Sequence, residues 1–248
     1  MIVVKIGTES LENFETSEKV NRMIRDIGLL IQKYKEEIIL VSSWAVWAWR
    51  KKRPDIEDKK VLAQIGWTEL MSGYDRKFAT HGISVWWLLL THADITDFKE
   101  RKNTLIDTVK RDWNNNILPI ANENDPIATE EMNALKRWAD NDKNALLLAQ
   151  LFQAKFMVIV TSENGCYQDK SDPNTRIERI FGTDITDTWI ERICWKPTKW
   201  WTGGMASKLE VGREWIKHWI ETIICDGIHS WLLDHYEGRH IGGTIVHS

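Results

Sequence analysis

Strand-like and helix-like segments alternate from one end of this 248-residue chain to the other. Short apolar runs at 2–8, 37–41, 83–91, 117–120, 156–160, 221–225 and 243–246 read as strands. Between the first two, Val20, Met23, Ile24, Ile27, Leu30, Ile31 and Tyr34 recur at the spacing that lines one face of a helix, and Ser17 is placed to cap it. Helical patterns return from Ser43 onward, at 60–81 with Gly73 as an interruption, at 94–116, 144–154, 185–193 and, after Lys208, to about 219, and briefly near Trp231. Strands separated by helices pair in parallel, with the crossover helices covering both faces. The pattern predicts an α/β fold, a three-layer αβα sandwich around a mostly parallel sheet. No linker, repeat or low-complexity tract divides it, so 1–248 is expected to be one domain. Ligand loops should gather at the C-terminal ends of the strands.

Composition narrows the function classes. A net charge of −3 offers no general attraction for nucleic acid. The longest apolar runs are too short to span a bilayer, and residues 1–5 enter a strand directly with no signal-peptide pattern. Three widely spaced cysteines, Cys166, Cys194 and Cys225, form neither a zinc pattern nor a disulfide framework, which points to a reducing cytoplasm. His229, His235 and His240 do not share a helix face, so no metal site is expected from them. Hydrophobic residues at 43% support a packed core.

Several strand ends carry residues suited to polar ligands. Lys5 lies inside the first strand, where an unpaired ammonium is costly to bury. It is either the solvated lysine of an edge strand or a cation aimed into a cleft. Ser42 and Ser43 follow the second strand as hydroxyl ligands or as helix caps. After the run at 117–120 come Ala121, Asn122, Glu123, Asn124 and Asp125, either a hydrogen-bonding site or a solvated loop. Asp140, Asn141 and Asp142 precede a helix, as caps or as Mg²⁺ chemistry. Thr202, Gly203 and Gly204 can turn sharply and expose amide donors, and Lys208 follows: suitable parts for holding phosphate.

In order and near-correct spacing, these blocks resemble those of the glutamate 5-kinases, within the amino acid kinase family. The blocks are Val3-Val4-Lys5-Ile6-Gly7-Thr8, Val41-Ser42-Ser43, Ala121-Asn122-Glu123-Asn124-Asp125, Asp140-Asn141-Asp142 and Thr202-Gly203-Gly204-Met205-Ala206-Ser207-Lys208. The resemblance covers almost the whole chain and stops where the family's kinase domain stops, without the PUA domain that many members append. It implies ATP-dependent phosphorylation of the γ-carboxylate of L-glutamate, with Mg²⁺ bridging phosphate oxygens, in a cytoplasmic enzyme of proline biosynthesis that forms dimers or tetramers. Carried over by residue, Lys5 and Lys208 would neutralise the transferring phosphoryl group, and Asp142, with Asp140, would orient them. Ser43, Asp125 and Asn141 would hold glutamate. Thr161 and Ser162, together with the stretch Thr202, Gly203, Gly204, Met205, Ala206, Ser207 and Lys208, would bind ATP. Acetylglutamate, carbamate and uridylate kinases are the neighbouring alternatives, and a non-catalytic ligand-binding relative is another. The Asn122-Glu123-Asn124-Asp125 block favours the glutamate enzyme over the first three.

Fifteen tryptophans stand beside only 14 glycines. Trp44, Trp47, Trp49, Trp86, Trp195, Trp201 and Trp219 fall where the family places glycine or alanine, whereas Trp67 and Trp87 face family glutamines. Ser162 stands where the family has aspartate and Ala139 where it has glycine, and the segment at 97–103 is shorter than the family's. Tryptophan cannot replace a glycine that holds positive φ or lets backbone approach a ligand. Either the chain is a diverged, inactive relative or the codon UGA, glycine in some bacteria, has been written as tryptophan; we favour the second. The expected outcome is UGA at codons 44, 49 and 201, and glycine there in peptide mass spectra of the native protein. UGG at all three would exclude misreading.

Overall fold

The computed structural model describes residues 1–43, 53–124, 126–127, 140–169, 171–193, 205–218, 220–229, 232–239 and 242–247. Among them the strands are β1 (Ile2–Ile6), β2 (Ile38–Ser42), β3 (Ser84–Leu90), β4 (Ile117–Glu123), β5 (Phe156–Val160), β6 (Cys166–Tyr167), β7 (Arg176–Ile177), β8 (Arg179–Phe181), β9 (Glu221–Cys225) and β10 (Thr244–His247). The helices are α1 (Glu18–Gln32), α2 (Lys59–Ala79), α3 (His92–Thr96), α4 (Lys99–Asn114), α5 (Asp140–Leu151), α6 (Asp187–Ile193), α7 (Met205–Ile216) and α8 (Leu232–Tyr236). The main sheet has eight strands in the order β3-β4-β2-β1-β5-β9-β10-β8. Every pairing in it is parallel except β10 against β9. It is the mostly parallel, helix-flanked sandwich that the alternation predicts.

Alternate side chains of the central strands feed two cores, as the period of two requires. Ile2, Val4 and Ile6 of β1 join Val20, Met23 and Ile27 of α1 and Tyr74 and Phe78 of α2. Val3 faces the other way, with Val41, Ile159, Val109 of α4, Leu148 of α5 and Val211 of α7. Full burial of each such side chain stabilises the fold by about 1.5–3 kcal/mol. A third cluster, with Ile180, Ile190, Leu209, Ile224 and Val246, closes the end of the sheet that carries β8 and β10.

Several elements differ from the sequence expectation. Strand β4 continues three residues past Ile120, so Ala121, Asn122 and Glu123 are buried strand, not loop. Each is paired along β3, where Leu88 meets Ala121 and Leu90 meets Glu123, and this ladder overrides the weak strand propensity of Asn and Glu. Helix α5 begins at Asp140 and α7 at Met205, so Asp142 and Lys208 lie inside first turns instead of preceding them. The polar loop after β5 contains the β6–β7 ribbon, and the short edge strand β8 had no counterpart in the sequence reading. Helix α2 passes through Gly73 without a break. A Cβ there would sit 2.7 Å from Cε1 of Phe14, so glycine provides close packing rather than a kink.

Trp67 and Trp87, which face family glutamines, have a tertiary explanation. The Trp67 and Trp87 rings lie 6.5 Å apart, and Nε1–H of Trp87 donates to the Trp67 carbonyl at 3.3 Å. They pack as a pair between α2 and β3. Trp86, half-buried on the outermost strand, packs against the second core. Trp44, Trp47, Trp49, Trp195, Trp201 and Trp219 lie outside the described residues.

Gly73→Ala is expected to destabilise the chain despite its helix-propensity gain of about 1 kcal/mol, because overpacking costs about 1–3 kcal/mol. Urea denaturation would show the loss, and Phe14→Leu in the same background would recover part of it.

Candidate active site

Strand β1 lies between β2 and β5, so Lys5 stands in the middle of the sheet, in register with Val41 and Ile159. The edge-strand reading of this lysine is therefore wrong. Its residue is 4% exposed, and Nζ lies 2.6 Å from Oδ1 of Asp142, whose carboxylate is fully buried. An ammonium in this position survives desolvation only beside an opposite charge. The first turn of α5 supplies that charge, where the helix dipole also favours a carboxylate.

Lys208, in the first turn of α7, is the second buried cation, 6% exposed. Burial pushes its pKa below the ordinary lysine value, the charge of Lys5 pushes it further, and Asp142 opposes both. Two buried ammonium groups thus share the field of the Asp142 carboxylate, with Glu9 as a smaller opposing charge on Lys208. Paired cations at the C-terminal edge of a parallel sheet are suited to a phosphoryl group, whose oxygens spread negative charge. Gly7 follows β1, and a Cβ placed there would come within 4.0 Å of Lys5 Nζ. Glycine leaves that approach open.

The neighbouring strand ends complete the site. Ser43 is half-buried at the end of β2, and its carbonyl accepts from Thr8 Oγ1 at 3.5 Å, which draws the β1 and β2 loops together. Ser42 points to the opposite face, where its hydroxyl pairs with that of Tyr74 at 3.0 Å. Burial pushes the Tyr74 phenol well above its ordinary value. Asn141, half-buried, accepts the Glu123 N–H on Oδ1 at 3.2 Å. That contact fixes the amide's orientation and leaves Nδ2 as its donor end. Thr161 is buried at the end of β5; its N–H donates to the Cys225 carbonyl at 2.8 Å, and its carbonyl accepts from Lys19 Nζ at 3.2 Å. Burial lowers the pKa of Lys19, against the raising charge of Asp226. Ser162 is exposed.

Lys5, Asp142 and Lys208 are therefore brought together, with Ser43 and Asn141 on the β2–β4 side and Thr161 on the β5 side. Met205 and Ala206 open α7 and are half-buried against the third core. Asp125, Thr202, Gly203, Gly204 and the side chains of Asp140 and Ser207 lie outside the described residues. Nothing in the sequence pattern singles out Lys19, His92, Asn144 or the individual Glu123 side chain. Only a buried carboxylate at a strand end could have singled out Glu123.

The model of the amino acid kinase family matches residues 1–226. The chain belongs to the amino acid kinase family. A glutamate 5-kinase of Listeria welshimeri is 31% identical over 97% of this chain and 91% of its own length. One from Dehalococcoides mccartyi is 33% identical over 100% of this chain and 68% of its own. One from Enterococcus faecalis is 29% identical over 99% and 94%. Family and relatives together make this chain a kinase, an enzyme of phosphoryl transfer. Among solved structures, a carbamate kinase from Giardia lamblia bound to AMP-PNP superposes with a TM-score of 0.61, covering 99% of this chain and 97% of its own. At 14% identity that likeness concerns the fold alone.

Asp142→Asn is expected to destabilise the chain by about 3–5 kcal/mol, since it leaves two buried ammonium groups facing each other without their shared carboxylate. Lys208→Met in the Asp142→Asn background should recover part of that loss. Thermal and urea unfolding of the single and double variants would measure both effects.

Proposed function

We propose that this chain transfers the γ-phosphoryl group of ATP to the γ-carboxylate of L-glutamate, forming glutamyl 5-phosphate at the head of proline biosynthesis. A carboxylate oxygen attacks the γ-phosphorus, the bond to the bridging oxygen breaks, and ADP departs with that electron pair. The observation that carries the reading is the buried Lys5–Asp142 pair with Lys208 beside it, at the sheet edge where Ser43 and Asn141 converge. Two buried cations fit the charge that spreads over a transferring phosphoryl group. In this reading Asp142 holds the Lys5 ammonium in place, while Lys208 reaches the phosphate from the other side. Asn141, with its Oδ1 engaged by Glu123, presents Nδ2 to a group that only accepts, such as a carboxylate. Ser43 and Asp125 would complete the glutamate subsite. Thr161, Ser162 and the stretch 202–208 would hold ATP, and Mg²⁺ would arrive on its phosphates to share their charge. The glutamate 5-kinase relatives, at roughly twice the identity of the carbamate kinases, support glutamate as the acceptor.

The test is trapping of the acyl phosphate by hydroxylamine, with ATP, Mg²⁺ and each of L-glutamate, N-acetylglutamate and carbamate, and ADP release with UMP. It is run on the chain as written and on the Trp44→Gly, Trp47→Gly, Trp49→Gly, Trp201→Gly version. Glutamate hydroxamate is the expected product, with an alkaline loss of rate beginning below the ordinary lysine value of 10.5 because the Lys208 pKa is lowered. Lys208→Ala should cut kcat by orders of magnitude. Transfer to another acceptor would reassign the substrate, and no transfer in either version would favour a non-catalytic relative.

A further inference from the structure

Glu123 and Asn144 have no part in the phosphoryl-transfer scheme, yet they form a buried contact next to it. Glu123 closes β4 and is 6% exposed; Asn144, the fifth residue of α5, is 1% exposed. Asn144 Nδ2 donates to Glu123 Oε2 at 2.6 Å, a short hydrogen bond to a charged group. The Glu123 N–H is itself taken by two amide oxygens, Asn122 Oδ1 at 2.8 Å and Asn141 Oδ1 at 3.2 Å. His92, at the start of α3, brings Nε2 to 4.0 Å from the same Glu123 oxygen. Apolar side chains would fill this space at lower desolvation cost, so the polar pair has to be explained by its direction.

That direction follows from helix geometry. Asn141 and Asn144 are three residues apart on α5 and therefore share a face, which meets β4. Asp142 is turned about 100° from Asn141, since each helical residue advances by 1/3.6 of a turn, and this carries it to Lys5 on β1. Strand β2 lies between β4 and β1, so the two anchor strands are about 10 Å apart, close to the diameter of a helix with its side chains. The first turn of α5 thus spans two strands and is fastened at both ends. Any rotation or slide of the helix that relaxed the Glu123 end would withdraw Asp142 from Lys5 and turn Asn141 away.

We propose that Glu123 and Asn144 are positioning residues, a brace that sets α5 so that Asn141 and Asp142 meet the acceptor carboxylate and Lys5 in register. The acceptor part of this proposal rests on the kinase reading above; the brace itself does not.

Hydrogen exchange on the full-length chain tests the brace without requiring activity. Asn144→Leu should lower protection of the Glu123 amide and of the α5 first turn by about tenfold to a hundredfold, the effect of losing one hydrogen bond to a charged group. The amides of β1 and β5 should keep theirs. Asn144→Asp alone places two carboxylates in contact, so its protection should fall as pH rises through the carboxylate range and return on acidification. Asn144→Asp combined with Glu123→Gln reverses donor and acceptor and should restore protection at neutral pH, and these two variants carry the test if Asn144→Leu does not fold. Unchanged protection in Asn144→Leu, or no restoration by the swap, would overturn the brace.

Kinetics test the positioning. Asn144→Leu should raise KM for glutamate by about tenfold or more, again the scale of one such bond, with KM for ATP little changed, and the swap should restore it. Wild-type transfer to glutamate with no such split would reduce the pair to a structural contact and overturn the proposal. If no version transfers phosphate to any carboxylate, the kinase reading and the acceptor role fall together, while hydrogen exchange still decides the brace.

Discussion

A positive charge placed in the central strand of a buried sheet governs how this molecule is assembled. Lys5 has Ile and Val on both sides in sequence and a strand on either side in space. Its ammonium cannot reach bulk water, so a carboxylate must be brought to it. Asp142 does this at 2.6 Å, which requires α5 to start at the C-terminal edge of the sheet with its first turn against β1. The position of α5 then shapes the second core, through Leu148 and its neighbours, and leaves room for α7 to bring Lys208 beside the pair.

The arrangement is unfavourable for stability and useful for chemistry. Two buried ammonium groups beside the Asp142 carboxylate repel each other; burial first, and then the charge of Lys5, lower the Lys208 pKa against the raising charges of Asp142 and Glu9. Two cations held this close also suit an anionic ligand, whose charge would offset their repulsion. Glycine at position 7 leaves the space beside Lys5 Nζ without a side chain.

Tryptophan presents two different problems in this chain. Trp67 and Trp87 contact each other across α2 and β3, so each indole supplies packing for the other. Trp113 likewise has a partner for its indole N–H, the Ile38 carbonyl at 2.9 Å. These three belong to the packed protein. The tryptophans at 44, 47, 49 and 201 lie outside the described residues, and for them the codon is the relevant observation.

The alternation of strands and helices determined the layered fold, because periods of two and 3.6 leave different apolar patterns in a linear sequence. The anomaly of Lys5 was legible for a similar reason: a lysine within an apolar run needs a compensating charge wherever the run is buried. The sequence could not say that β1 is central rather than an edge, nor which carboxylate answers Lys5, since both depend on strand order. It also placed the end of β4 too early, because Asn122 and Glu123 are poor strand formers held in place by the β3 ladder. The Glu123–Asn144 contact was beyond sequence reasoning altogether. It joins a strand end to a helix face, and only the rotation of α5, set by packing on both sides of the sheet, brings those two side chains to the same point.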